Sequence, residues 1–103
     1  MTTQEFIEAI AKTYEDGLEI IKAKNKDYST EANPFRNFEY AQYVNVNVPN
    51  AILVRVSDKL ARVANLVNQE ERAVMDERIE DTLLDMMNYI AILKVYLESR
   101  KEE

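Results

Sequence analysis

Three long stretches of this chain repeat apolar side chains at steps of three and four, the spacing of one helix face. In the first, Ile7, Ile10, Ala11, Tyr14, Leu18 and Ile21 follow a capping-box pattern, Thr2 with Glu5, and predict an amphipathic helix ending near Lys24. The next segment, "KAKNKDYSTEANPFRNFEYAQYV", breaks the period, and Asn33–Pro34 reads as an N-cap with proline in the first helical position. The expectation is a loop over about 25 to 32 and a short helix over about 34 to 43. "VNVNVPN" alternates as a strand does but has no second strand to pair with, so it reads as an extended connection. Pro49 then opens a helix whose apolar side is Leu53, Val56, Leu60, Val63 and Val67. A polar turn, "NQEERAV", precedes the last helix, with Ile79, Leu83, Met86, Ile90, Leu93 and Leu97 on one side. The pattern predicts one all-α domain over 1–103, a bundle of about four helices packed at shallow angles, with "ESRKEE" fraying at the end.

Composition then removes whole classes of chemistry. The 103 residues include no histidine and no cysteine, which excludes disulfides, zinc–thiolate sites and His-based acid–base catalysis. A metal ion would be a hard cation on oxygen ligands, Mg²⁺ or Mn²⁺. The net charge of −6 argues against binding duplex nucleic acid through its backbone. Charges interrupt every apolar run before it reaches a span of about 18 residues, so the reading is a cytoplasmic protein with no membrane partner. The surplus apolar surface of "YIAILKVYL" predicts self-association, as a dimer or tetramer.

Polar residues form stripes of their own. Arg55, Asp58, Arg62, Asn65 and Gln69 project from one face of the third helix, and Glu77, Asp81, Asp85 and Asn88 from one face of the fourth. Asp85 stands between two leucines and two methionines, where an unpaired charge is costly and a partner is required. If the stripes face each other, Arg55 and Arg62 neutralise Asp85 and Asp81 while Asp58 joins the carboxylates around a cation. The alternatives are a solvated face and a salt-bridge network that fixes helix register.

"RVSDKLARVANL" and "IEDTLLDMMNYIAIL", preceded by "KNKDY" and "NPFRNFE", resemble the nucleotide modification-associated helical domain of phages and their hosts. More distantly the chain is similar to the MazG-type all-α nucleoside triphosphate pyrophosphohydrolases. That resemblance implies an oligomeric helical bundle in which acids from two helices hold Mg²⁺ while water attacks a nucleotide phosphate. Asp85 matches the last acid of the E-x-x-D half of that signature, but Thr82 stands three residues earlier and the acid is displaced to Asp81. On the preceding helix, Asp58 with Lys59 and Arg62 replaces a pair of glutamates. The implied metal ligands are Asp58, Asp81 and Asp85, with Glu77 or Glu80 orienting water and Arg55, Lys59 and Arg62 on the phosphates. Exchanging carboxylates for cations favours phosphate affinity over metal affinity.

The segment around the predicted loop adds ligand chemistry of its own. Lys24, Lys26 and Arg36 offer cations for phosphates, Tyr28 a ring for stacking, and Asn33, Asn37 and, on the last helix, Asn88 amides for base edges. Phe35 and Phe38 offer further rings for stacking a base, or, for at least one of them, a side chain that docks the short helix on the bundle, and the helix start at Asn33–Pro34 could receive a phosphate. Three functions follow: a Mg²⁺-dependent nucleotide pyrophosphohydrolase, a non-catalytic sponge that sequesters a linear or cyclic signalling nucleotide against host defence, and a helical interaction or assembly protein.

Overall fold

A computed structural model describes residues 1–28, 33–69 and 77–101. Among the described residues the fold is all-α, as the apolar periodicity predicts. The first helix, α1, spans Thr3–Tyr28. It starts as the capping box requires, with the Glu5 N–H donating to Thr2 Oγ1 at 3.1 Å. It runs four residues past its expected end at Lys24 because "NKDY" lacks an apolar face but contains no glycine or proline to stop a helix. The rest of the expected loop, 29–32, lies outside the described residues.

The short second helix, α2, is one turn, Arg36–Glu39, continued by a 3-10 turn over Tyr40–Val44. Asn33 is not its N-cap, a place taken by Phe35; the Asn33 Oδ1 instead accepts the Phe35 N–H at 3.1 Å in the turn before the helix. Helical residues begin only at Arg36, so Pro34 precedes the helix and does not fill its first position. With so few aligned peptides there is little dipole to hold a phosphate there, which removes the expectation of an anion site at this start. Asn45 ends the 3-10 turn in the left-handed region at φ 63°, where its N–H donates to the Gln42 carbonyl at 3.1 Å and that of Val46 to Ala41 at 3.0 Å. Asparagine tolerates this conformation better than other residues with a Cβ. The expected extended connection thus shrinks to Val46 and Asn47.

The third helix, α3, spans Val48–Gln69 and the fourth, α4, Glu77–Lys101. Asn47 caps α3, its Oδ1 accepting the Asn50 N–H at 2.8 Å, and Pro49 falls in the first turn, where its missing donor is not needed. The predicted polar turn between these helices lies largely outside the described residues.

The main packing is α3 against α4, with α1 crossing α4 and α2 lying on α3. Val48, Ile52, Ile79 and Leu84 form the buried core together with the polar Thr82 and Asn88. The face that α3 packs is not its most apolar one: Leu53 and Leu60 are exposed, whereas Ile52, Val56, Lys59 and Val63 point inward. The packed face is therefore turned about 50° from the predicted stripe toward the polar one, at ~100° per residue. On α4, Leu83, Ile90 and Leu97 are likewise exposed. Phe35, just before α2, and Phe38 within it both dock on α4: the Phe35 ring meets Tyr96 edge-on at 5.1 Å and Phe38 meets Tyr89 at 6.1 Å.

Where α1 crosses α4, the chain places its single glycine. Asn88 Nδ2 donates to the Gly17 carbonyl at 2.9 Å. A Cβ at Gly17 would collide with Met87 Cε and come within 2.9 Å of Asn88 Oδ1, so the crossing requires a residue without one.

Candidate functional site

Asp85 has partners, and they are lysines from two other helices. Lys24 Nζ, on α1, donates to Asp85 Oδ1 at 2.9 Å, and Lys59 Nζ, on α3, pairs with Oδ2 at 3.4 Å. The Asp85 side chain is 19% exposed, Lys59 25% and Lys24 51%, so the Lys59 bond is the more shielded. This corrects the expected pairing with Arg55 and Arg62. Both arginines are exposed, and among the described residues no ion pair joins either to Asp81 or Asp85. The reason is the rotation of α3. Lys59 falls in the inward series of Ile52, Val56 and Val63, Arg55 and Arg62 lie at the rim of that face, and Asp58 faces solvent about 100° away. A lysine interrupting an inward series is the same signal as Asp85 in α4. It is lost when α3 is read by its most apolar stripe.

Beside the junction is a cleft of about 60 Å³ lined by Ile21, Lys24, Asp85, Asn88, Tyr89 and Ile92. It has room for about two waters or one small polar group. Its lining combines the charged Lys24 and Asp85 and the amide of Asn88 with the apolar and aromatic Ile21, Tyr89 and Ile92. In the sequence Ile21 reads only as part of the apolar stripe of α1, and Tyr89 and Ile92 stand in the apolar run "NYIAIL" with nothing to mark them as cleft residues.

The expected metal ligands do not assemble. Asp58 and Asp81 are exposed, both oxygens of Asp85 face lysines, and among the described residues no three acidic side chains could hold an ion. These residues do not fit a preformed Mg²⁺ or Mn²⁺ site. Glu80 is exposed on α4, and the Glu77 side chain lies outside the described residues. The Asp16 carboxylate raises the Lys12 pKa through a hydrogen bond and its charge, with Glu15 and Glu80 adding weaker pulls in the same direction.

The remaining candidates divide. Asn88 is committed to the Gly17 carbonyl, and Asn33 both caps Phe35 and donates to the Glu39 carboxylate, so both amides hold the fold together. Arg36 and Asn37 are exposed. Arg36 edges an open depression of about 380 Å³ with Glu39, Tyr40, Gln42 and Tyr43, where the two tyrosine rings stack at 6.4 Å. The side chains of Lys26 and Tyr28 lie outside the described residues. No helix among the described residues is long and apolar enough to cross a membrane. Compared with known proteins, the chain matches no family model, no curated protein and no solved structure.

Proposed function

We propose that this chain binds a nucleoside phosphate, its phosphates at the Lys24–Asp85–Lys59 junction and the remainder of the nucleotide against Ile21, Tyr89 and Ile92. The observation that carries the reading is the junction itself: two ammonium groups on one half-buried carboxylate, of which Asp85 and Lys24 also line a cleft with Ile21, Asn88, Tyr89 and Ile92. An ammonium has three N–H donors, so Lys59 can hold Asp85 and still donate to a phosphoryl oxygen. Arg55 and Arg62, at the rim of the same face of α3, supply further cations, and their fixed forks suit phosphate. Mg²⁺ or Mn²⁺ enters this reading with the nucleotide and not as a resident ion.

Sequestration fits the site better than turnover, because Asp85 is engaged by cations and not by other acids. The resemblance to a phage-associated nucleotide domain suggests the setting, a self-associating protein in the cytoplasm of an infected bacterium that withdraws a signalling nucleotide. The apolar stripe left exposed on α1 favours a second reading, a helical interaction protein. The test is incubation with linear and cyclic nucleotides plus Mg²⁺, followed by mass spectrometry of what is retained and assay of pyrophosphate released. Retention without release is the expected result. Release abolished by Glu80→Gln would replace sequestration with hydrolysis, and neither retention nor release from any nucleotide would overturn the reading.

A further inference from the structure

We propose that the apolar stripe of α1 docks a second copy of this chain, and that the second copy walls the open side of the Asp85 cleft. Phe6, Ile7, Ile10, Tyr14 and Leu18 are each between 39% and 62% exposed, although their spacing places them along one side of the helix. Among the described residues no other part of the chain covers this stripe.

The exposed area is what a second copy would cover. The chain exposes 8100 Å², whereas a folded monomer of 12.0 kDa exposes about 6000 Å². The excess, about 2100 Å² per chain or about 4200 Å² for two, falls within the range buried by obligate homodimers. The radius of gyration agrees, at 15.8 Å against about 13 Å for a compact chain of this length. A two-fold axis would cover the same stripe on both copies at once, which a foreign partner on one copy does not do.

The cleft gives the second copy a role in the site. At about 60 Å³ it is far below the ~300–1000 Å³ of ligand pockets, so one chain cannot enclose a nucleotide. The stripe runs through Leu18 into Ile21, a lining residue of the cleft, and a copy seated on it therefore borders the open side. The dimer stands on surface area alone; the closing of the cleft rests on the nucleotide reading.

Sedimentation equilibrium of the full chain should give about 24 kDa, two copies of 12.0 kDa, and Tyr14→Glu should halve it while Leu53→Glu, on α3, leaves it unchanged. A wild-type mass of one copy, or equal dissociation by both variants, would overturn the docking surface. Because Tyr14→Glu could unfold the chain, Tyr14→Cys provides a milder probe in a protein without cysteine. A spin label there should show dipolar coupling between copies, and its absence would count against the proposal. A dimer that retains no nucleotide leaves the docking surface standing and sinks the nucleotide reading. Equal nucleotide affinity in wild type and a folded monomeric Tyr14→Glu would refute the closing of the cleft.

Discussion

Replacing Gly17 with alanine should destabilise this protein, although alanine is the better helix former. Within a helix the exchange alone favours folding by about 1 kcal/mol. At the crossing of α1 and α4, however, the new Cβ meets Met87 Cε and lies 2.9 Å from Asn88 Oδ1. Met87 can swing its terminal methyl aside, but Asn88 is 7% exposed and tied to the Gly17 carbonyl, so its amide must shift and its bond must stretch or break. A buried amide left without its partner costs about 1–3 kcal/mol. The net expectation is a loss of about 1 kcal/mol. Removing the obstructing amide should reverse the sign: in an Asn88→Ala background, Gly17→Ala should stabilise by up to about 1 kcal/mol. Urea unfolding of the four proteins at one fixed concentration measures the cycle, fixed because association adds to apparent stability. Stabilisation by Gly17→Ala in both backgrounds would refute the close-approach argument.

Two further substitutions probe the frame around the site. Asp85→Ala should cost about 2 kcal/mol in urea unfolding by leaving the half-buried Lys59 uncompensated, whereas Lys24→Ala, at the exposed end of the same junction, should cost less than about 1 kcal/mol. Equal losses would mean that the two ion pairs are not shielded differently. At Asn45, in the left-handed region, glycine should be neutral or stabilising and valine should lower the thermal midpoint by an amount equivalent to about 1–2 kcal/mol. A tolerated valine would contradict the positive φ.

Helix periodicity made the three long helices legible, and the Thr2–Glu5 pattern marks the start of α1 directly. What it did not reveal is which part of each helix surface would be covered. A stripe records where apolar groups lie, while packing depends on what each helix meets, and on α3 the two differ enough to turn Lys59 inward and Leu60 outward. Asp85 was legible as a charge in need of partners. The identity of those partners was not, because Lys24 is 61 residues away in sequence and Lys59 was read with the phosphate-binding cations. Asn88 looked like a ligand group for the same reason: a polar residue in an apolar run reads alike whether it meets a ligand or a backbone carbonyl. The exposed stripe of α1 shows the converse, a pattern fully legible in sequence that no other described residues cover.

The central claim is that the lysines gathered on Asp85 receive phosphate. Calorimetric titration of nucleoside triphosphates and cyclic dinucleotides with Mg²⁺, into wild type and Lys59→Ala, tests it most directly. The account predicts saturable binding by wild type and at least a tenfold loss in Lys59→Ala, the equivalent of removing one charge-assisted hydrogen bond of about 1.5–3 kcal/mol. Equal affinity in the two proteins would contradict it, as would wild type giving no heat of binding with any nucleotide.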